Sequence, residues 1–394
     1  MAQIYNEGAV EFRLPDSNKI FYNPRARLGR DIGVLALRAE AERNGRSLTV
    51  LELMAGVGLR TRRYLAEAPV RAILANDANP DAHNVLKESL EGNEKAELTN
   101  ELAQRLLARL YLEDRRFDWV DLDPFGSPSP FFPWCLGAAR WDGLLYVTAT
   151  DAPVLCGAQR SEALKAYDAV AYLGKECHEL ALRILIGYIQ RRMIQWNMHG
   201  EPVISFFDGY CWRCLMRARK GAKAFKPELL GFIVQTPDGE YKPARAGIQL
   251  GQSEGYPWST DVVRWIGPLW LGRLHRQEFV ADMFKAAREP YFATARRLLA
   301  RIGKELDEIP ITYDVAALAD RMDRSVPPTQ QIIDYVRNRG YRASNVHHNG
   351  RSIRTEAPLS AILSAWDEWH DDGKGITQTP DHASIGLSKL REEG

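Results

Sequence analysis

The string Asp121-Leu122-Asp123-Pro124-Phe125-Gly126-Ser127-Pro128 brings two carboxylates, a proline and an aromatic ring together. A buried strand is predicted over residues 117–123, which would carry Asp123 to the carboxyl edge of a parallel sheet, where open α/β proteins bind ligands. Pro124 has no backbone N–H and ends the strand, leaving its carbonyl oxygen as an acceptor. Phe125 then offers a flat ring beside the carboxylate.

The chemistry that suits these groups is methylation of the exocyclic amine of a nucleic-acid base. Such an amine is a poor nucleophile because its lone pair is delocalised into the ring, so its nitrogen has to be held towards a methyl donor. A carboxylate and a carbonyl can accept from its two N–H bonds, and a stacked ring adds about 1–3 kcal/mol per base. Positioning then supplies much of the catalysis without a covalent intermediate. The alternative left open is a turn that closes a strand, with Phe125 in the core.

A candidate cofactor loop lies earlier in the chain, in Glu52-Leu53-Met54-Ala55-Gly56-Val57-Gly58-Leu59-Arg60. Its two glycines stand between a predicted strand and a helix start, where a backbone without Cβ atoms lets a ligand approach closely. The third glycine of the dinucleotide fingerprint is missing, which disfavours NAD. Asp77 ends the next predicted strand and is placed to hold the ribose hydroxyls of a nucleoside. A plain tight turn is the alternative.

Strand and helix patterns alternate along the first two thirds of the chain, which is typical of a doubly wound parallel sheet. Beyond residue 265, helical patterns alternate with short β-like runs, so a second, mixed domain is predicted. The predicted domains are residues 1–265 and residues 266–394. The predicted strands are 48–55, 72–77, 117–123, 144–150, 202–207, 212–216, 229–236 and 309–312; the predicted helices are 81–90, 102–112, 176–193, 279–284, 294–302, 315–322, 329–339 and 358–369.

Basic residues are concentrated in two stretches, although the formal net charge is only +1. Residues 211–226 and residues 335–355 contain no acidic residue. A localised phosphate-binding face requires such clustering, and a pair of solvated surfaces is the alternative left open. The residues predicted to contact RNA are Arg213, Arg217, Arg219, Lys220, Lys223, Arg342, His347, Arg351 and Arg354.

The composition, with 45% hydrophobic and 26% charged residues among 394, is that of an ordinary globular protein. No apolar run is long enough to span a membrane. The first residues lack the basic and apolar segments of a secretory signal, and five scattered cysteines do not suggest a disulfide framework. A cytoplasmic protein with no membrane association is therefore predicted.

Taken in order, these strings resemble the tRNA (guanine-N2) dimethyltransferase family, which acts at tRNA position 26. The resemblance covers nearly the whole chain. It implies a class I (Rossmann-like) methyltransferase domain that uses S-adenosylmethionine (SAM), followed by a mixed α+β C-terminal domain that binds tRNA. Besides the strings above, it includes Phe21-Tyr22-Asn23-Pro24, Arg30-Asp31, Asn76-Asp77, Thr148-Ala149-Thr150-Asp151, Leu155-Cys156-Gly157, Cys177-His178-Glu179-Leu180-Ala181-Leu182-Arg183, Gly267-Pro268-Leu269-Trp270, Gly340-Tyr341-Arg342-Ala343-Ser344 and Arg354-Thr355-Glu356-Ala357-Pro358.

The resemblance also implies roles for individual residues. The target guanine is expected between the rings of Phe21 and Phe125, and Asp123 is expected to hold the amine and help to remove its proton. The predicted catalytic set is Asp123, Pro124, Phe125 and Phe21; the predicted cofactor contacts are Arg30, Glu52, Gly56, Gly58, Arg60, Asp77, Glu101, Ala103 and Asp121.

The chain departs from the family pattern in two places. An Asp-Ala pair near the adenine is usual, but Leu102 stands in place of that Asp, and Glu101 is the predicted substitute. Many members carry a four-cysteine zinc site, whereas residues 251–258 contain no cysteine. Cys211 and Cys214 would point to opposite faces of a strand, and a structural zinc ion needs four ligands. No zinc is predicted.

Two other functions stay open on the sequence alone, and no obligatory protein partner is evident. One is a methyltransferase that acts on an amine of another RNA or of DNA. The other is a tRNA-binding protein or chaperone whose cofactor site has decayed, as the loss of the adenine-side Asp would allow. Cys177 and His178 resemble a nucleophile with its base, but neighbouring side chains on a helix point in different directions, which favours a structural role.

Overall fold

The computed structural model describes residues 3–14, 22–245 and 262–369. The strands are β1 (Gln3–Glu7), β2 (Val10–Leu14), β3 (Leu48–Glu52), β4 (Val70–Asn76), β5 (Ala96–Thr99), β6 (Phe117–Leu122), β7 (Ala139–Ala149), β8 (Met198–Phe207), β9 (Trp212–Lys220), β10 (Leu230–Gln235), β11 (Tyr241–Arg245), β12 (Arg264–Trp270), β13 (Thr312–Asp314), β14 (Ala343–Asn345) and β15 (Ser352–Thr355). The α-helices are α1 (Arg27–Asn44), α2 (Leu59–Glu67), α3 (Pro80–Ser89), α4 (Ala103–Leu112), α5 (Phe132–Ala138), α6 (Ala152–Leu155), α7 (Arg160–Tyr167), α8 (Cys177–Gln195), α9 (Gln277–Ala286), α10 (Ala293–Ile302), α11 (Val315–Met322), α12 (Thr329–Asn338), α13 (Leu359–Leu363) and α14 (Ala365–Glu368).

Seven strands form the central sheet in the order β5-β4-β3-β6-β7-β9-β8. The first five are parallel, whereas β9 lies antiparallel to both β7 and β8. Every residue of β3 and β6 is buried, as expected for parallel strands that are covered on both faces. The predicted Rossmann-like alternation of strands and helices is therefore confirmed, and the parallel strands end together at one edge of the sheet.

Two hydrophobic cores cover the two faces of this sheet, because successive residues of a strand point in opposite directions. Val50 of β3 belongs to a cluster with Leu35 of α1 and Phe279 of α9. Its neighbour Leu51 belongs to another cluster, with Leu107 of α4 and Ile186 of α8. Helices α1 and α8 thus lie on opposite faces and hold the strand ends in fixed positions.

After the central sheet, the chain forms two small sheets and short helices. Strands β13, β15 and β14 form one antiparallel sheet, against which α11 and α12 pack. Strand β12 pairs with β10 in the other, which has the order β11-β10-β12. The predicted boundary between residues 265 and 266 falls inside β12, and α9 and α10, which follow it, pack on α1. A boundary at this position would divide a paired strand; the described residues from 266 onwards are called the C-terminal part.

None of the helices that the structure describes is both long enough and apolar enough to cross a membrane.

Candidate active site

The glycine loop joins β3 to α2 at the carboxyl edge of the sheet. Gly56 and Gly58 have φ angles of 54° and 75°, in the left-handed region that glycine adopts without a Cβ clash. The Gly56 N–H donates to Asp77 Oδ2 over 2.7 Å, so the loop and the end of β4 are joined directly. A Cβ on Gly58 would lie 2.3 Å from Leu86 Cδ1, whereas a Cβ on Gly56 would meet no atom of the described residues within 4 Å. Space for a ligand therefore lies over Gly56.

Asp123 lies just past the end of β6, between two arginine side chains. Arg60 Nη2 donates to Asp123 Oδ2, and Arg60 Nη1 donates to Asp121 Oδ2 over 3.2 Å. Arg213 Nη1 lies 3.3 Å from the same Asp123 oxygen. The side chains of Arg60 and Arg213 are buried, while that of Asp123 is 22% exposed. The Asp123 carboxylate is therefore the member of this cluster that a substrate can reach.

The three carboxylates around Arg60 differ in acidity. Burial favours a higher pKa for Asp123, but the charges of Arg213 and Arg60 outweigh it and lower that pKa below the ordinary value. Burial raises the pKa of Asp121. Burial and the nearby charge of Asp121 raise the pKa of Glu52 to about 8. Asp123 is therefore ionised at neutral pH, whereas its surroundings favour the protonated form of Glu52.

Arg213 reaches Asp123 from the neighbouring strand β9. It lies opposite Thr148 of β7 in the sheet, and its Nη1 donates to Thr148 Oγ1 over 2.6 Å. The guanidinium passes close to helix α1, where a Cβ on Gly29 would lie 2.3 Å from Arg213 Nε. The hydroxyl of Tyr146 donates to the Gly29 carbonyl over 2.9 Å, which holds α1 in this position.

The loop after Asp123 is fastened to the end of β7. The Gly126 N–H donates to Thr150 Oγ1 over 2.7 Å, and the Thr150 N–H donates to the Gly126 carbonyl over 3.0 Å. Phe125 is 77% exposed, so the alternative that placed its ring in the core is wrong. Phe21, its expected partner across the guanine, lies outside the described residues.

Two tyrosines that were not among the predicted site residues form hydrogen bonds with carboxylates at this edge of the sheet. Tyr64 OH donates to Asp121 Oδ2 over 2.6 Å, and Tyr167 OH lies 2.8 Å from both carboxylate oxygens of Asp151. Tyr64 follows Arg60 by one helical turn, so the spacing was a usable signal that both side chains share a face. Tyr167 comes from a separate helix and has no such signal.

The remaining predicted cofactor residues lie around the same edge. Arg30 is buried and makes a bidentate pair with Glu7, with both distances 2.6 Å. The Asn76 side chain joins the glycine loop to the segment before α4, since its Nδ2 donates to the carbonyls of Leu53 and Glu101 over 3.0 Å. Glu101 Oε1 accepts from Arg109 over 2.7 Å, and Ala103 begins α4.

The residues at this edge of the sheet fit a nucleoside that carries an ammonium group. Asp77 offers a carboxylate to a ribose, and the backbone at Gly56 is open. Asp121 Oδ1 is buried and accepts no hydrogen bond from the part of the chain that the structure describes. Because a buried carboxylate oxygen without a partner is costly, a cation donated by a ligand would satisfy it.

Three of the predicted RNA contacts are wrong, because their side chains are buried and paired inside the protein. Arg354 has no exposed surface and makes two 2.9 Å contacts with Glu179. Arg217 makes two 2.7 Å contacts with Glu40, and His347 is buried with its Nδ1 2.9 Å from Glu305.

Arg213 was also predicted to contact RNA as part of a basic surface. It is only 1% exposed and lies against Asp123, so it belongs to the site rather than to a surface that binds phosphates. A guanidinium that already satisfies a buried carboxylate cannot leave it for a phosphate without exposing an unpaired charge.

The other basic residues do not form one surface around Asp123. Strand β9 runs antiparallel to β7, with Lys220 opposite Met198, so Arg219, Lys220 and Lys223 lie towards the sheet edge opposite the site. Arg342 is half exposed and pairs with Glu356 and Glu308. Arg351 is exposed in the C-terminal part.

Cys211 and Cys214, which were considered as zinc ligands, are both buried free thiols. Burial raises the pKa of Cys211 and of Cys214 to about 12, which disfavours the thiolates that zinc requires. Residues 251–258 lie outside the described residues.

His275, Glu305 and His347 also come within 4.8 Å of one another. In each of these histidines, however, one ring nitrogen accepts from a backbone N–H, of Ser205 over 3.3 Å and of Phe207 over 3.4 Å. His347 Nδ1 lies 2.9 Å from Glu305 Oε1, so these two side chains are hydrogen-bonded. His275 Nε2 lies 3.8 Å from Glu305 Oε2, and neither of these two atoms has a hydrogen-bond partner among the described residues.

The comparisons with known proteins agree with one another. A family model described as "N2,N2-dimethylguanosine tRNA methyltransferase" matches residues 2–367. A tRNA (guanine(26)-N(2))-dimethyltransferase of Thermococcus kodakarensis is 32% identical over 382 residues, which cover 90% of this chain and 96% of the relative. An enzyme of the same name from Methanosphaerula palustris is 33% identical over 380 residues, covering 91% of this chain and 97% of that enzyme.

A solved structure is similar over the same extent. It is the complex of Trm1 from Pyrococcus horikoshii with S-adenosyl-L-methionine, which matches with a TM-score of 0.81 and 30% identity. The match covers 92% of this chain and 99% of that one, so it includes the C-terminal part as well as the central sheet. The predicted class I fold is confirmed.

Proposed function

This chain belongs to the N2,N2-dimethylguanosine tRNA methyltransferase family, and from that premise we propose that Asp123 holds the exocyclic amine of the target guanine and takes its proton. The chain uses SAM to methylate N2 of a guanine in tRNA. The target is the guanine at position 26, which receives one methyl group and then a second. The observation that carries the assignment of Asp123 is its geometry: the carboxylate is 22% exposed, ionised and next to an exposed aromatic ring.

Asp123 and Pro124 orient the nitrogen. The carboxylate accepts from one N–H of the amine and the Pro124 carbonyl from the other, so the nitrogen lone pair turns towards the methyl group. When bound, SAM supplies an electrophilic methyl carbon on a sulfonium, and transfer forms the N–C bond as the C–S bond breaks. The methylated nitrogen carries a positive charge until the Asp123 carboxylate removes its proton.

The lowered pKa of Asp123 is compatible with this role. The conjugate acid of a nitrogen whose lone pair is delocalised into a ring is a strong acid once the lone pair is used for bonding. A weakly basic carboxylate therefore suffices as the acceptor, and what matters is that it is ionised and correctly placed. Arg60 and Arg213 supply both conditions, since each contacts Asp123 from a different element.

Phe125 holds the plane of the base. Its ring is exposed at the end of a loop that two hydrogen bonds with Thr150 fix in place, so it can stack without losing much freedom. We assign Phe21 to the other face of the guanine, as the resemblance to the family implies. Stacking on one ring contributes about 1–3 kcal/mol.

The cofactor is assigned to the loop between β3 and α2. Asp77 takes the ribose hydroxyls, the open backbone at Gly56 allows close approach, and Asp121 Oδ1 receives the ammonium of the methionine part. Arg30, Glu52, Gly58, Arg60, Glu101 and Ala103 complete the proposed set around the same edge.

For tRNA contact we retain the basic residues whose side chains are accessible. Arg351 is exposed in the C-terminal part, which we assign to tRNA binding. Lys220 and Lys223 are exposed and Arg219 is partly so, but they lie at the opposite sheet edge, so they would meet a different part of a long ligand. Arg342 contributes only if RNA displaces its glutamate partners.

The test is methylation of defined transcripts. The protein is incubated with labelled SAM and unmodified tRNA carrying guanine or adenine at position 26, and the digested nucleosides are identified. N2-methylated and N2,N2-dimethylated guanosine should form only with the guanine transcript. Methylation of both transcripts would move the target to another position. Transfer to neither, with no saturable heat of SAM binding by calorimetry, would favour a tRNA-binding protein with a decayed cofactor site.

A further inference from the structure

Three reactive side chains meet at the amino end of α8, outside the residues assigned to the reaction. Ligating atoms of Cys156, Cys177 and His178 lie within 4.8 Å of one another, and Cys156 Sγ is 3.8 Å from His178 Nδ1. Both cysteines are free thiols. A structural zinc site needs four ligands, and this group has three. Two adjacent thiols beside an imidazole are instead suited to thiol oxidation, in which one sulfur attacks and the other resolves.

We propose that Cys156 and Cys177 form a redox-sensitive thiol pair, which a hydroperoxide converts into a disulfide that slows methyl transfer. The formation of the disulfide is independent of the proposed function, whereas its effect on the rate rests on it.

Cys177 is the attacking sulfur. It is the first residue of α8, a helix of 19 residues, where the helix dipole stabilises a thiolate. A hydrogen bond from Cys156 lowers the pKa of the Cys177 thiol and raises that of Cys156 itself. Cys177 is also the more accessible of the two, since Cys156 is only 8% exposed. Cys156 is therefore suited to the second step.

The two steps balance without any further reactant. The Cys177 thiolate attacks one peroxide oxygen, the O–O bond breaks, and a sulfenic acid forms. The leaving oxygen takes a proton and departs as water from hydrogen peroxide, or as an alcohol from an organic hydroperoxide. The Cys156 sulfur then attacks the Cys177 sulfur, the S–S bond forms, and the S–O bond breaks with loss of water. Two sulfurs are oxidised and one peroxide is reduced. The Cys156 proton goes to the departing oxygen, and His178 Nδ1, 3.8 Å from Cys156 Sγ, lies close enough to relay it.

The pair is connected to the catalytic loop through α6. Cys156 directly follows α6, which begins after Thr150 and Asp151. Thr150 binds Gly126 in the loop that carries Phe125, and Asp151 binds Tyr167. A disulfide requires an S–S distance of about 2.05 Å, so closing the bond draws the end of α6 towards α8. The strand end that fixes the catalytic loop would then move with it.

The test is a titration of the full-length protein with hydrogen peroxide, followed by alkylation, digestion and mass spectrometry. Low peroxide should produce a linked Cys156–Cys177 peptide before any other cysteine changes, and methyl transfer should fall at least fivefold. Dithiothreitol should restore both the thiols and the rate. Cys177→Ser should keep its activity through the same treatment, and Cys156→Ala should give Cys177 over-oxidised but never linked.

The matched control is Cys135→Ser, which removes a thiol that is fully buried in α5 and whose pKa burial raises. This variant should respond to peroxide as the unaltered protein does. The proposal is overturned if no linked peptide forms at any peroxide concentration, or if Cys177→Ser loses activity as fast as the unaltered protein. A linked peptide with an unchanged rate would overturn the effect on methyl transfer while leaving the activity assignment intact.

Discussion

At the scale of single residues, the setting of Asp123 decides what its carboxylate can do. Two guanidinium groups contact it, one from α2 and one from β9, and together they keep it ionised in a buried setting. The same contacts limit its motion, so the exposed part of the carboxylate faces a fixed direction. A substrate amine therefore meets an acceptor that is already charged and already oriented.

The first prediction concerns the charge of Asp123. Asp123→Asn keeps the shape of the side chain but removes the proton acceptor, so the single-turnover rate of methyl transfer should fall at least about a hundredfold, in the range for loss of a general base. Binding of SAM and of tRNA, measured by calorimetry and filter binding, should change less than about threefold. Asp81→Asn, on the exposed start of α3, is the control and should leave the rate unchanged. A variant Asp123→Asn that retained a tenth of the rate, a barrier change of ~1.4 kcal/mol, would contradict the role.

The second prediction concerns Arg213. Because its charge lowers the pKa of Asp123, Arg213→Met should raise that pKa and move the acidic limb of the kcat–pH profile towards higher pH. Arg213→Lys keeps a positive charge and should restore most of the profile. A purely structural role would lower the rate equally at every pH in both variants, and that outcome would show that Arg213 does not act through Asp123.

The roles of some of these residues could be predicted from the sequence, and those of others could not. Asp123 and Phe125 could be predicted because they follow a strand directly, and the edge of a sheet is where side chains meet ligands. The sequence does not distinguish Arg213, Arg217 and Arg354 from exposed arginines. A basic stretch does not show whether a carboxylate from another element pairs with each guanidinium in the fold. The partners Glu40 and Glu179 come from distant helices, and only the fold brings them close.

At the scale of elements, helix α1 contributes to the site, and this contribution could not be predicted from its sequence. The helix is absent from the predicted elements, because Arg30, Asp31 and Glu40 interrupt its apolar period although all three are buried. The strands β3, β4 and β6 were predicted within a few residues, because continuous apolar runs ended by glycine, an acid or proline leave little choice. Burial of charged residues is the feature that pattern reasoning cannot anticipate.

The third prediction tests the contact between α1 and β9. Gly29→Ala would place a Cβ 2.3 Å from Arg213 Nε, so the guanidinium must move away from Asp123. Methyl transfer should fall about tenfold or more, with an acidic limb displaced as in Arg213→Met. The control is Gly350→Ala, where a Cβ meets no described atom within 4 Å and φ is not left-handed. If Gly29→Ala kept the full rate, the close approach would have no functional role.

At the scale of the whole molecule, a buried ionic cluster joins the C-terminal part to α8. Arg354 of β15 binds Glu179 of α8, which also binds Arg183 over 2.7 Å, and Arg183 donates to the carbonyls of Trp270 and Gly272. Breaking a buried pair by removing one partner leaves an uncompensated charge. The cluster therefore fixes the position of the proposed tRNA-binding part relative to the catalytic sheet.

The fourth prediction concerns the stability that this cluster provides. Arg354→Met should lower the free energy of unfolding by about 3–5 kcal/mol, measured with denaturant. Burial favours a higher pKa for Glu179, but Arg354 and Arg183 outweigh it and hold the pKa well below the ordinary value. Because the pKa of Glu179 is lower in the folded than in the unfolded protein, its carboxylate stabilises the fold above the unfolded pKa of about 4.3. This stabilisation is lost as the pH falls below that value. The variant should therefore lose less stability than the unaltered protein between pH 5 and about pH 3.

The control for that prediction is the exposed pair of Arg324 and Asp367, whose side chains are 47% and 67% exposed. Arg324→Met should change the free energy of unfolding by less than about 1 kcal/mol, because solvent screens exposed pairs. Equal losses in the two variants would mean that the buried cluster has no special importance.

The fifth prediction concerns the tRNA surface. Replacing exposed Arg351 with Gln should weaken tRNA binding and reduce the slope of log K against log salt by about 0.7–0.9, the loss of one phosphate contact. Lys220→Gln, at the opposite sheet edge, should have the same effect only if the RNA extends around the protein. An unchanged slope for Arg351→Gln would remove that residue from the interface.

Strand β12 also bears on how this protein could be rebuilt or could have arisen. Because it carries the predicted boundary and still pairs with β10, a chimaera joined at residue 265 would divide one β-ladder between two parents. The side chains of β12 and β10 that pack against each other would then come from different parents and would lose their fit. The two parts are therefore expected to be inherited together, and a protein engineer seeking a new RNA specificity would do better to vary surface loops than to exchange the C-terminal part.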